Sequence, residues 1–215
     1  MKRTTPSIIA ACIAAAFAMP ATPVLAQHSH SAPAADVKIQ QTGAALRDLW
    51  IGHIFWVRNV AIHTLSGDAT AAGEAEKQAV ANARQIAAAI EPYYGKEASE
   101  KLFGLLAGHY NAVKHYLQAT VAGSKTKQDT AVQALTANAR DIATFLSKAN
   151  PNLQFDTLNG LLVAHGGHHI QEIEQLRAKQ YAEEAQTWEA MKKHMYAISD
   201  ALAGALAKQF PGRVS

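Results

Sequence analysis

Cysteine is almost missing from this chain: Cys12 is the sole one in 215 residues. It lies in a segment with the marks of a cleaved leader, so the mature protein is expected to form no disulfide and to offer no thiolate for catalysis or metal binding. Stability must then come from an apolar core. Roughly 190 residues after the leader suffice for one domain of this kind. Charge of one sign is also scarce. The formal net charge of +3 includes Lys2 and Arg3, leaving about +1 beyond the leader, without the concentrated basic face that nucleic acid requires. No apolar run approaches the roughly 20 residues of a transmembrane helix. Catalytic and cofactor signatures are missing as well: there is no Gly-x-Ser-x-Gly elbow, phosphate-binding glycine loop, Cys-x-x-Cys-His haem attachment or His-Glu-x-x-His helix. Nothing here supports haem, a nucleotide or an enzymatic reaction, and the chain reads as a binding protein.

The leader itself is legible. Lys2 and Arg3 precede the short apolar run Ile8 to Met19, and Val24-Leu25-Ala26 supplies a small-residue end. Residues 1–26 therefore read as a signal peptide cleaved before Gln27, which implies export, most simply to a periplasm. Ile9-Ala10-Ala11-Cys12 resembles a lipobox, but the apolar stretch before Cys12 is too short for lipidation there. Residues 27–36, QHSHSAPAAD, read as a disordered arm. Its His28 and His30 lie near the new amino terminus, an arrangement that chelates copper or nickel; the plainer reading is a flexible spacer.

What the chain does have is repetition. His53, His109 and His165 are spaced by 56 residues, and Leu46/Leu102/Leu158, Leu49/Leu105/Leu161 and Ile86/Ile142/Ile198 keep the same interval. Asn82-Ala83-Arg84-Gln85-Ile86-Ala87 returns as Asn138-Ala139-Arg140-Asp141-Ile142-Ala143 with one change. Each unit reads as a helical hairpin. In the first, Leu46, Leu49, His53, Trp56, Val57, Val60 and Thr64 share a helix face, Ser66-Gly67-Asp68 breaks the helix, and Asp68 caps the next. Pro92-Tyr93-Tyr94-Gly95 closes the unit. The second carries Leu102, Leu105, Leu106, His109, Val113, Tyr116 and Leu117, turns at Gly123-Ser124 and ends at Asn150-Pro151-Asn152. The third carries Leu158, Leu161, Leu162, His165, His169, Ile173 and Leu176, but its turn near Lys179 has neither Gly nor Pro. One long helix from Phe155 to Phe210 is the competing reading; a hairpin suits a compact domain better. The expected architecture is all-α: six helices in three hairpins, about 37–94, 95–152 and 153–211, in a single domain. Closed bundle and short curved array both satisfy the pattern.

A histidine at the middle of each apolar stripe is the chief functional signal. Neutral imidazole is the commonest protein metal ligand, and one from each hairpin would make a three-nitrogen site with an open position. The densest group is His165-Gly166-Gly167-His168-His169-Ile170-Gln171-Glu172, where His165, His169 and Glu172 share a helix face at i, i+4 and i+7. Glu172 follows His169 instead of preceding it, and neither other unit has a glutamate there, which argues against a di-iron carboxylate centre. The candidate ligands are His53, His109, His165, His169 and Glu172, and a nitrogen-rich set suits copper, zinc, iron or nickel. Gly166-Gly167 allows either a close helix approach or a kink. Trp50 and Trp56 read as core, Arg58 as a solvated or salt-bridged residue, His63 and His168 as solvent-facing, Tyr93-Tyr94 as a packing corner, and His194 as the occupant of the niche held by Asn82 and Asn138.

Leu46-x-x-Leu49-Trp50-x-x-His53-x-x-Trp56-x-Arg58, Ile90-x-Pro92-Tyr93-Tyr94-Gly95, Phe145-Leu146-Ser147-x-x-Asn150-Pro151-Asn152 and Gln209-Phe210-Pro211 together resemble a family of small exported bacterial helical proteins, often labelled glycosyltransferase or acetylglutamate kinase. The resemblance covers nearly all of the chain after the leader and implies a helical, exported protein. Neither sugar-nucleotide nor ATP binding has a counterpart in these residues. Two functions follow as expectations: a periplasmic transition-metal-binding bundle, or a non-catalytic cell-envelope interaction module whose histidines are structural and whose partner is an envelope protein. The leader reading is checked by mass spectrometry of the protein exported from a Gram-negative host, whose mature chain should begin at Gln27.

Overall fold

The structure is a computed structural model and describes residues 34–213. The leader, Cys12, His28, His30 and most of the 27–36 arm lie outside the described residues. Within them all regular structure is helical: α1 (Ala34–Ser66), α2 (Ala69–Ala88), the single-turn α3 (Glu91–Tyr94), α4 (Lys96–Val121), α5 (Lys125–Ala149), α6 (Phe155–Arg177) and α7 (Tyr181–Gln209). The six long helices are those expected. α1 begins at Ala34, inside the segment read as an arm, and the Pro92-Tyr93-Tyr94 stretch read as a breaker is itself one helical turn. Proline is admitted there because the first turn of a helix has no intrahelical partner for the missing N–H. No helix among the described residues is long and apolar enough to cross a membrane.

The hairpins close on themselves. α1 packs on α2, α2 on α4, α4 on α5, α5 on α6, α6 on α7 and α7 back on α1, while α1, α4 and α6 also touch pairwise. The bundle is thus a ring, with the first helix of each hairpin turned inward. Of the residues expected on the inward stripes, Leu46, Val57, Val60, Leu102, Leu106, Val113, Tyr116, Leu117, Leu158, Leu162 and Ile173 are buried, whereas Leu49, Trp56, Thr64, Leu105, Leu161 and Leu176 are half-buried at the stripe edges.

Equivalent contacts recur around the ring. Asn82 Nδ2 donates to the Leu49 carbonyl (3.0 Å), Asn138 Nδ2 to Leu105 (3.0 Å), and His194 Nε2 meets Leu161 O at 2.7 Å, each pair 33 residues apart. His194 therefore fills the asparagine niche, its ring nitrogen taking the place of the amide. Gly52 and Gly108 make room for the first two: a Cβ at either would stand 3.0 Å from the asparagine Nδ2.

The three hairpin turns share one geometry too. The N–H groups of Gly67, Gly123 and Lys179 bond the carbonyls of Thr64, Thr120 and Leu176, and the next residue in each case reaches back to His63, Ala119 and Gln175. This is a Schellman termination, which needs a left-handed residue at its centre. Gly67 (φ 81°) and Gly123 (φ 66°) supply it readily, and Lys179 adopts it at φ 60°. The third turn lacked a sequence signal because a lysine occupies the glycine position, not because the helix continues.

The motifs at the unit ends meet at one place. Tyr94 Oη donates to Gln209 Oε1 (2.7 Å), Asn150 Nδ2 donates to Tyr94 Oη (3.0 Å), and Gln209 Nε2 donates to the Ala149 carbonyl (2.9 Å). The Phe210 ring packs on both Tyr93 and Tyr94, with centroids 5.4 and 5.3 Å apart. Segments from all three hairpins are joined here, far apart in sequence, so the lock ties the end of α7 to the first two units. Since an L-residue in the left-handed region is strained by roughly 1–2 kcal/mol, partly offset by the greater freedom of glycine in the unfolded chain, Lys179→Gly should stabilise the protein by about 0.5–1 kcal/mol, read from the midpoint of urea unfolding.

Candidate metal centre

Two apolar clusters fill the ring. One contains Leu46, Trp50, Ile54, Leu102, Leu106, Leu158 and Leu162; the other contains Val57, Val60, Ala61, Tyr110, Val113, Leu117 and Ile173. On each inner helix the histidines fall at the step between them. His53 on α1, His109 on α4, and His165 and His169 on α6 are 2%, 4%, 2% and 1% exposed, and that near-complete burial removes water as their hydrogen-bond partner.

They converge. One ligating nitrogen from each of the four rings can be chosen so that all lie within 4.8 Å of one another. Ring centroids of His53, His109 and His165 are 5.1–6.0 Å apart, the His109–His165 pair stacked at 17° between planes. His165 and His169, one turn apart on α6, approach to 3.2 Å between their Nε2 atoms. Around an ion with bonds of 2.0–2.1 Å, tetrahedral nitrogens lie about 3.3 Å apart. The His165–His169 pair already has that spacing.

The rings are poorly served by the protein. Both nitrogens of His53, Nε2 of His109 and Nδ1 of His165 have no hydrogen-bond partner. A neutral imidazole always carries one N–H, so at least one buried donor on His53 is unmet, at about 1–3 kcal/mol. A purely structural histidine is normally buried with such a partner. Burial also holds the rings neutral: it pulls His53 down to about 3, aided by repulsion from His109, and His109 to about 4. Burial and neighbouring imidazoles keep His165 and His169 well below the usual histidine range. Neutral rings present lone pairs without first losing a proton, which is the form a metal binds.

Glu172 stands beside the cluster but outside the group of four. Its carboxyl is 2% exposed; Oε1 has no hydrogen-bond partner, and Oε2 is 3.8 Å from His169 Nδ1. With His169 Nε2 directed at His165, the ring turns its other nitrogen toward the carboxyl, at a distance too long for a hydrogen bond. Burial, with repulsion from Glu184, pushes Glu172 up to about 8, against a downward pull from Arg58.

Other residues singled out in the sequence separate from this centre. Trp50 is buried with its ring 6.0 Å from His53 and its Nε1 unpartnered, and Trp56 stacks edge-on with Phe55. His63 is half-buried at the end of α1 and His168 half-buried beside His194, the rings 5.4 Å apart, so neither is fully solvent-facing. Gly166 is explained by close approach: a Cβ there would meet Leu135 Cδ2 at 2.9 Å, whereas one at Gly167 would meet nothing within 4 Å. Arg58 is salt-bridged, its Nε and Nη2 lying 2.5 and 2.7 Å from the carboxylate of Glu184, whose side chain is 3% exposed. Sequence reading missed Glu184. Its partner is 126 residues away on another hairpin, and no periodicity of α7 marks that pairing.

Comparison with protein-family models, with curated proteins and with solved structures finds no match for this chain.

The imidazole shifts set a pH dependence. A base whose folded pKa lies below its unfolded value of about 6.5 binds more protons when unfolded, so its contribution to stability is complete above that pH and is lost as pH falls. Glu172, raised when folded, has the opposite sign between about 4.5 and 8, but it is one carboxyl against four imidazoles. Metal-free protein should therefore lose stability steadily from about pH 6.5 to pH 4. His53→Leu/His109→Leu should flatten that slope, as read from thermal melting across the range.

Proposed function

We propose that this protein binds one transition-metal ion through His53, His109, His165 and His169. The observation that carries the reading is the convergence of four neutral, buried imidazoles from three separate helices, their ligating nitrogens within 4.8 Å of one another. Four nitrogen donors suit a borderline ion, zinc, copper or nickel ahead of magnesium or calcium, which prefer oxygen. His169 supplies the fourth donor where a three-histidine arrangement would leave a position for water. A buried four-nitrogen cage fits holding an ion, or being held together by one, better than activating a substrate, because catalytic sites keep a coordination position open. The two apolar clusters on either side exclude competing water from the bonds.

Export to a periplasm, proposed from the leader-like residues 1–26, is compatible with this reading. An envelope partner that docks on the outer helices is also compatible with it and is not required by it.

Native, untagged protein purified without chelator should retain about one ion per chain after dialysis, measured by elemental analysis. His109→Ala/His165→Ala should abolish that retention. Saturating metal at 100 times its Kd should raise the stability of native protein by about 2.7 kcal/mol and leave the double variant unmoved. Equal metal content in the two proteins, with unchanged melting, would sink the proposal.

A further inference from the structure

A buried carboxyl without a hydrogen bond calls for an explanation, and Glu172 is such a group. It is 2% exposed, Oε1 has no partner, and Oε2 lies beyond hydrogen-bond reach of His169 Nδ1 at 3.8 Å. A carboxyl kept for packing alone would normally be hydrogen-bonded or replaced by an apolar residue, since a buried polar group without a partner costs stability.

The charges around it do not cancel. Glu172 shares a small cavity of about 10 Å³ with His169, Tyr110 and Lys114, walled by apolar residues of α1, α4 and α6. Lys114 Nζ is 2.6 Å from Glu76, and Arg58 is gripped through two bonds by Glu184. Each nearby cation thus already has its own carboxylate. Both cations are taken, and Glu172, on the Nδ1 side of His169, is the carboxyl left without one.

Resting on the four-histidine reading, we infer that Glu172 is the built-in counter-charge of the centre and makes it selective for a divalent over a monovalent ion. Four imidazoles are neutral donors and leave the whole charge of the ion uncompensated in a low-dielectric interior. A cation held nearby favours the ionised form of a carboxyl; that carboxylate lowers the net charge of the centre, and at a fixed distance its attraction for a dication is twice that for a monocation. At 3.8 Å it makes no hydrogen bond to His169 Nδ1, so its effect on the centre is that of a charge. The charge term alone distinguishes valence.

Competition titrations of metal-free native protein, Glu172→Gln and Glu172→Asp with Zn(II), and with Cu(I) under anaerobic reducing conditions, test this. Gln keeps the size of the side chain and removes the charge. Outer carboxylates of metal-bound histidines commonly contribute 10–100-fold in affinity, so Zn(II) binding should weaken about 100-fold. Cu(I) binding should then weaken only about tenfold, the square root of that factor. Asp keeps the charge and should retain most of the native preference for Zn(II). Equal losses for both ions, an Asp variant as impaired as Gln, or Zn(II) binding unchanged in Gln would each overturn the inference. If Gln prevents folding, judged by helical circular dichroism, Glu172→Met, apolar and of similar size, replaces it with the same expected losses and the same overturning results. Native protein that takes up neither ion would sink the metal reading itself, whereas native uptake with an indifferent Gln variant sinks only the role of Glu172.

Discussion

Everything in this bundle depends on burying four imidazoles at the level where two apolar clusters meet. The clusters exclude water from both sides, so the rings must find partners among themselves or in a bound ion. His165 and His169 find each other at 3.2 Å, while His53 finds no hydrogen bond for either nitrogen. The same exclusion holds the rings neutral, because a protonated imidazole could not be hydrated there. Apolar burial thereby creates the unmet polar groups and gives them the protonation state in which they ligate.

Such a centre requires a rigid ring around it, and the rest of the structure supplies one. Side-chain caps onto the carbonyls of Leu49, Leu105 and Leu161 fix each outer helix against its inner partner. Schellman turns at Gly67, Gly123 and Lys179 set the hairpin angle. The Tyr94, Asn150 and Gln209 lock ties the chain's last helix to the first two units. Small shifts of one inner helix would separate nitrogens that lie within 4.8 Å of one another, so these distant bonds bear on the geometry of the histidine cluster as much as on stability.

Much of this was legible in the residues. Apolar spacing of 3.6 marked the helices, Asp68 marked a helix start that its side chain indeed caps through the Ala71 N–H, and the 56-residue recurrence of histidine marked where to look. The weakly marked parts have separate causes. The third hairpin, preferred over one long helix, turns at Lys179 as expected, and the turn carried no glycine because left-handed backbone is open to lysine at some strain. Pro92 was read as a breaker because the helical turn that accommodates it has no signature beyond the proline. Glu184 escaped because its partner, Arg58, belongs to another hairpin.

By itself the sequence determined the all-α class, the inward faces and the histidines at their centres, since these follow from local periodicity and side-chain chemistry. Only the tertiary structure decided that the hairpins close into a ring and that, of the further candidates His169 and Glu172, the histidine joins the three repeated ones while the carboxyl stands behind it without a hydrogen bond. Those facts depend on how helices distant in sequence approach one another. A period of 3.6 says which face of a helix is buried, not which face of another helix it meets.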